Sequence, residues 1–197
     1  VTAKATYSLD GKPVEIRVNY GRIPVLESPS CEITLNYDEN DPCDGKISFR
    51  EALQYAKELK ETNIDIRKFT ESNRLEVVNP LVIDAEYTIN GATEKEDGTI
   101  ECAEIFYKGE KVGTTAFVIS EEGKLTLDGI RLVETTAGQQ NPNMESSLFE
   151  NNGGILNVNQ CLIFGVDTRK TNQSAIRLNK GITNFKETTI AENYNSC

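Results

Sequence analysis

Between Gly123 and Asn193 three short lines of sequence repeat, and no other feature constrains the fold as tightly. The first reads Leu125-Thr-Leu127-Asp-Gly129-Ile130-Arg-Leu132, the second Ile155-Leu156-Asn-Val158-Asn-Gln-Cys161-Leu-Ile163. The third runs Ile176-Arg-Leu178, a turn at Gly181, then Phe185 and Ile190. Each line sets apolar residues two apart, breaks for about two polar turn residues, and resumes with another apolar pair. Period-two alternation is the signature of a strand, and Asp-Gly or Asn-Gln marks the bend. Pairs of very short strands recurring every 20–35 residues or so belong to a coiled solenoid, whereas a sandwich needs longer strands joined by hairpin turns. The pattern predicts an all-β parallel β-helix, one coil per line, with Leu125, Leu127, Val158 and Leu178 stacked inside.

The rest of the chain fits around that stack. Ile64/Ile66, Leu75/Val77, Leu81/Ile83 and Ile89 continue the alternation and read as the first rungs, with Pro80 at a corner where its missing N–H does no harm. Residues 92–116 break the rhythm. Turns at Thr93–Gly98 and Tyr107–Lys111, with strands at Ile100–Phe106 and Val112, suggest a hairpin inserted on the flank, and Phe117-Val-Ile119 rejoins the stack. Glu134–Ser147 is a second polar excursion, and long loops on a rigid scaffold are where binding concentrates. Asn151, Asn152, Asn157, Asn159 and Asn193 fall at or beside turns, where stacked Asn side chains would form a ladder.

Ahead of the rungs lies an amphipathic helix, expected over residues 48–62. Ser48-Phe-Arg-Glu51 has capping-box spacing, and Phe49, Ala52, Leu53, Ala56 and Leu59 form one apolar stripe. An open solenoid end leaves unpaired backbone and core side chains in water, so a helix laid across the first coil serves as its cap. A helix packed on an ordinary sheet face fits the same residues. Ile33-Thr-Leu35 reads as a short strand before it. The acidic run Asp38–Asp44 reads as a solvated turn; calcium is the competing reading, although the spacing departs from the D-x-[DN]-x-[DN]-G loop.

Residues 1–30 differ in texture. Thr6–Leu9, Val14–Val18 and Ile23–Leu26 are strand-like, Asp10-Gly11 and Tyr20-Gly21 are turns, and Ser28-Pro29-Ser30 would serve as a linker. This is a small β extension or the tail of a preceding domain, with residues 31–197 the β-helix. Starting at Val1 and stopping at Cys197 just after a repeat, the chain reads as a piece truncated at its C-terminal end, so its lack of a leader decides nothing.

Composition excludes some functions. A net charge of −10 over 197 residues disfavours nucleic acid and anionic lipid as partners, and no apolar run is long enough to span a membrane. With no histidine and no C-x-x-C, a zinc site of the usual kind is not expected. Of the five cysteines, Cys161 sits in a repeat line as a small core residue, Cys31 and Cys43 would be bridgeable across the acidic turn in a secreted protein, and Cys102 and Cys197 complete the odd count.

Asp41-Pro-Cys43-Asp-Gly-Lys-Ile-Ser48-Phe-Arg50-Glu51-Ala52-Leu53 resembles the C-S-L-R-E-A-[IL] segment that opens many secreted right-handed parallel β-helix proteins of bacteria and archaea. Leu81–Ile83, Tyr87–Gly91 and Leu125–Gly129 are similar to that group's following strands. Phe149-Glu-Asn-Asn152-Gly153-Gly154-Ile155 is similar to the F-x-x-N and G-G-A-[IL] repeats of polymorphic outer-membrane adhesins, with degenerate copies at Ser174–Ile176 and Ile190–Asn193. Two positions depart from the pattern: Ile47 stands where the motif has its cysteine, and Ile155 replaces its alanine. The resemblance implies a structural cap at Ser48, Arg50, Glu51, Ala52 and Leu53, and repeat positions at Phe149, Asn152, Gly153, Gly154, Ile190 and Asn193. It also implies an extracellular, cell-surface location and a host-cell or neighbouring-cell protein or glycan as partner.

Parallel β-helices also carry polysaccharide lyases and hydrolases, the alternative reading. Candidate carboxylates are Asp84, Asp128 and Asp167, and candidate bases Arg131, Arg169 and Arg177. They form no repeated D-D or N-x-D line, and Asp128 precedes Gly129 as a turn residue would. The expectation is a non-catalytic adhesin-like module without a cofactor.

Overall fold

The computed structural model describes residues 2–9, 12–19, 29–41, 44–108, 114–134, 147–166, 174–191 and 193. Strands β1 (Thr2–Leu9) and β2 (Lys12–Asn19) form an antiparallel hairpin of their own, Leu9 opposite Lys12. The Ile23–Leu26 run and the Asp10-Gly11 and Tyr20-Gly21 turns lie outside the described residues.

Helix α1 spans Phe49–Leu59, shorter at both ends than the 48–62 expected. Ser48 is extended and caps it: the Glu51 N–H donates to the Ser48 hydroxyl at 3.3 Å, and the Ser48 N–H donates to the Glu51 carboxylate at 2.8 Å. At the other end Lys60 turns left-handed (φ 58°), and the Glu61 N–H donates back to the Ala56 carbonyl, which stops the helix before Thr62-Asn63. Phe49, Ala52, Leu53 and Ala56 are buried in one core with Ile64, Leu75 and Leu81. Leu59, assigned to the same stripe, is instead 48% exposed, because it lies in the last turn, beyond the coil the helix covers. Ile33–Leu35 is not a strand. Both side chains are buried, but the Thr34 and Leu35 N–H groups converge on the Ile47 carbonyl, leaving no ladder to extend.

The remaining strands wind as a parallel solenoid with three faces. One face stacks β3 (Asn63–Asp65), β6 (Glu86–Asn90), β10 (Lys124–Asp128) and the second half of β12 (Ser147–Asn159). The next stacks β4 (Leu75–Val77), β8 (Ile100–Tyr107), β11 (Ile130–Val133), β13 (Leu162–Phe164) and β15 (Thr189–Ala191). The third stacks β5 (Leu81–Ile83), β9 (Thr115–Ile119) and the first half of β12. The long β14 (Ile176–Lys186) lies parallel on β12 across both of its halves, so the bent strands β12 and β14 each serve two faces. Parallel register keeps equivalent side chains on one side of a sheet. Ile64, Ile89, Leu127 and Val158 therefore pile into one column, as do Ile83, Ile119 and Asn151. All are fully buried.

The region 92–116 corrects one expectation. A hairpin is present, β7 (Ala92–Glu94) pairing antiparallel with the start of β8. But β8 does not stay on the flank: Ala103, Ile105 and Tyr107 point inward, and the strand pairs with β4 and β11 as a full member of the stack. The insertion is thus only the β7–β8 tip, while Val112 and most of the second excursion (135–146) lie outside the described residues. Cys161 is buried in the stack, where burial pushes its thiol up to about 11. Cys31 and Cys102 carry free thiols; Cys43, the partner expected for Cys31, and Cys197 lie outside the described residues.

Candidate functional site

The helix-capped end is built around Arg50. Its guanidinium grips the Asp38 carboxylate through two bonds of 2.7 Å and donates to the carbonyls of Asn79 and Pro80 at 2.8 and 3.0 Å. Asp38 in turn accepts the Val78 and Asn79 N–H groups at 2.9 Å. Burial pushes the Asp38 carboxyl up, but the Arg50 bonds and these N–H groups outweigh it and hold the carboxyl below its ordinary value. Both Asp38 oxygens are engaged in locking the acidic turn and helix onto the β4–β5 corner. Asp44 accepts the Lys46 N–H. Among the described residues no group of three acidic or cysteine side chains assembles as metal ligands.

The second motif forms the corner of the bent strands. Phe149 packs on Phe117 with ring centroids 5.5 Å apart. Gly153 (φ 136°) and Gly181 (φ 84°) take up the bends, and a Cβ on Gly154 would stand 2.3 Å from the Gly123 and Ser120 carbonyl oxygens. The buried amide that holds this corner is Asn151, not Asn152. Its nitrogen donates to the carbonyls of Gly154 and Ile182 and to the Thr183 hydroxyl, and its oxygen accepts the Gly153 N–H. Parity decides this: Phe149 points inward, so Asn151 does too, while Asn152 points out and bonds to Glu150 and Asn179. Asn193 bridges coils by accepting the Val166 N–H and donating to the Ile163 carbonyl, and Ile190 sits over Ile163.

Outward residues form columns as regular as the core. On the first face Asn63, Thr88, Thr126, Asn157 and Asn184 are in register, and the Asn184 amide donates to Asn157 and that of Asn157 to Thr126. Of the five Asn residues expected to stack, only Asn157 belongs to this short ladder, which lies on a strand face and includes Asn184 and Thr126. Beside it runs Asp65, Asn90, Asp128, Asn159 and Lys186, with a cleft of about 330 Å³ lined by Asp65, Arg67, Asn90, Ala92 and Asp128. Arg67 bonds to Asp65 and holds that carboxyl below its ordinary value, outweighing its partial burial.

A larger concavity, about 610 Å³, opens outside the second face between the turn at Glu71–Asn73 and the β7–β8 hairpin. Thr70, Glu71, Ser72, Lys95, Ile100, Glu101, Cys102 and Arg131 line it. Behind it Glu104 is buried between Arg74 and Arg131, each with a guanidinium nitrogen 3.7 Å from a carboxylate oxygen. Arg131 reaches Glu71 as well, at 3.2 Å, and Arg74 stacks over the Phe106 ring. Burial pushes the Glu104 carboxyl up despite both arginines.

The expected candidates do not meet in one place. Asp84 pairs with Lys57 of the helix at 2.6 Å. Arg177 pairs with Glu150 and donates to Thr115 on the third face, Asp128 lies on the first face and Arg131 on the second. Asp167 and Arg169 lie outside the described residues. Thr70 and Glu71 of the cleft, and Glu104 behind it, carry no local motif, and Glu104 is hidden when β8 is read as an insert. Its alternation, Cys102, Glu104 and Phe106 out against Ala103, Ile105 and Tyr107 in, was the available signal. No protein-family model, curated protein or solved structure matches the chain.

Proposed function

We propose that this chain is a non-catalytic module of a secreted, cell-surface adhesin-like protein. The solenoid acts as a stiff rod, and a host-cell or neighbouring-cell protein or glycan docks on its flank. The observation that carries this reading is how the outward charges are spent. Glu86 faces Lys124, Glu104 faces Arg74 and Arg131, Glu150 faces Arg177 and Asp84 faces Lys57. Most of these pairs tie one coil to the next and stiffen the rod. The concavity beside the hairpin offers hydroxyl, amine, carboxylate and guanidinium groups around one apolar side chain, Ile100, a mixture suited to a hydroxylated ligand.

One observation favours the other reading, a polysaccharide-active enzyme. Asp65 and Asp128 share an outward column with only Asn90 between them. Two strand spacings put their backbones roughly 9.5 Å apart, near the roughly 6.5–9.5 Å that separates the carboxyl groups of inverting glycosidases. The two readings part in one experiment: a glycan array and a polysaccharide-cleavage assay run on the same protein. The adhesin reading expects glycan or cell binding that falls at least tenfold in Ile100→Ser with Thr70→Ala, and no cleavage. Cleavage abolished by Asp128→Asn would overturn it.

A further inference from the structure

The arginines of the described stack are used in two ways. Arg50 and Arg67 each turn the Nε–Nη2 edge of the guanidinium onto an aspartate, Asp38 and Asp65. That edge is a fork that matches the two oxygens of a carboxylate. Arg131 leaves it idle. Both of its acidic contacts are made through Nη1, at 3.2 Å from Glu71 and 3.7 Å from Glu104, and only the first is a hydrogen bond. Its Nε is buried without a partner, and its Nη2 makes no hydrogen bond among the described residues. A guanidinium has five N–H donors and no acceptor, so a single bond leaves most of them unused.

Arg131 stands in the wall of the concavity between the turn at Glu71–Asn73 and the β7–β8 hairpin. The two carboxylates that touch it differ. Glu104 is fixed in the stack, its side chain 3% exposed and flanked by Arg74 of the coil below. Glu71 hangs on the rim with its side chain 77% exposed. An exposed pair is held weakly, so a competing carboxylate can take the place of Glu71. The other cation of the lining, Lys95, is already matched to Glu101 at 3.3 Å. Around Arg131 the walls offer the Thr70 and Ser72 hydroxyls, 3.3 Å apart, and the exposed side chain of Ile100.

Taking the concavity as the docking surface proposed above, we infer that its ligand is a sugar bearing a carboxylate. That carboxylate displaces Glu71, and the guanidinium of Arg131 turns its idle Nε–Nη2 edge onto it. The sugar's hydroxyls meet Thr70 and Ser72, and its apolar face lies on Ile100. Glu71 is the site's internal stand-in: it occupies the guanidinium in the unliganded protein and competes with any acid that enters. An amino sugar is the poorer fit. Lys95 and Arg131 repel it, and Glu71, Glu101 and Glu104 are already paired.

The test uses the 197-residue chain and three tetrasaccharides of one linkage, built from glucuronic acid, glucose or glucosamine. They differ by a carboxylate, a hydroxyl or an ammonium group. Titration calorimetry should find the glucuronate tetramer bound about tenfold more tightly than the glucose tetramer, as a charge-assisted bidentate contact provides. The glucosamine tetramer should be the weakest. Glu71→Gln should tighten glucuronate binding about threefold and leave the glucose tetramer unchanged, a gain that loss of folding cannot produce. Arg131→Lys keeps the charge and removes the fork, and should abolish most of the preference for glucuronate. Equal binding of the tetramers, a preference for glucosamine, or glucuronate binding that is unchanged or weaker in Glu71→Gln overturns the assignment and leaves the concavity as a glycan site. Binding of none of the tetramers also overturns it. Cell or array binding that falls in Ile100→Ser with Thr70→Ala would then show that the adhesin reading stands without it.

Discussion

The first and the last described coils of the solenoid are built from the same inward pattern and differ in how they are covered. At the helix end, Ile64 and Ile83 of the first coil are fully buried because α1 lies across them. At the other end, Phe185 and Ile190 occupy equivalent positions and are about half exposed. Inward pointing is therefore a property of the strand, whereas burial is a property of the neighbouring layer. A side chain in a parallel coil gains its full stabilisation only when covered from both directions. The helix end obtains its cover from a capping box and one buried ion pair, and those two devices can be removed one at a time.

The largest contrast should come from truncating matched core positions. Leu127→Ala removes a side chain buried by β6 below and β12 above. It should cost roughly 2–5 kcal/mol in chemical denaturation. Phe185→Ala, one step beyond Val158 in the same column, should cost only about 1–2 kcal/mol, since two-fifths of its surface is already in water. Equal losses would mean that the last coil is covered in solution.

At the capped end, Asp38→Ala strands the Arg50 guanidinium and frees two backbone N–H groups at the β4–β5 corner. Breaking a pair of which one member is this deeply buried should cost roughly 3 kcal/mol. Helical circular dichroism should fall with it, because Arg50 belongs to α1. A loss below about 1 kcal/mol would reduce the pair to a surface contact. Ser48→Ala removes a hydroxyl that both accepts the Glu51 N–H and donates to the Glu39 carbonyl at 2.6 Å. It should cost about 1 kcal/mol, with melting of the strands shifted by the same free energy if cap and stack unfold together.

How much of this was legible in the residues follows from what each signal measures. Alternation at Leu125–Leu132 and Ile155–Ile163 gives strand and direction of pointing, and S-x-x-E gives the helix start; both came through intact. Register does not report how many layers lie above a residue, so Leu178 points inward in register with buried Asn151 and is still 55% exposed. The capping role of Arg50 follows from resemblance, but its partner Asp38, twelve residues earlier, has the sequence character of a solvated turn. A run of acids records nothing about which of them a distant guanidinium will reach. The F-x-x-N spacing points to Asn152, whereas strand parity from Phe149 designates Asn151. The cleft on the second face required knowing that residues 70–72, 95–102 and 131 are adjacent, a fact set by coil length and not by any local pattern.

The smallest expected effect is a difference in the sign of pH dependence between the capped end and the middle of the stack. Asp38 has its carboxyl held below the ordinary 3.8, so the folded form binds its proton less readily than the unfolded chain does. Its contribution is present above pH 3.8 and is lost as pH falls through the lowered folded value. Glu104 runs the other way. Burial raises its carboxyl above 4.5, so the folded form holds the proton more tightly. Its contribution is fully present below pH 4.5 and declines as pH rises through the raised value. Denaturation of wild type, Asp38→Asn and Glu104→Gln between pH 3 and 7 separates the two. The wild-type advantage over Asp38→Asn should shrink toward low pH, and that over Glu104→Gln should shrink toward neutrality. Parallel slopes for the two variants would mean that Arg74 and Arg131 bind Glu104 more strongly than its burial opposes ionisation, and that the middle of the stack answers to pH as its capped end does.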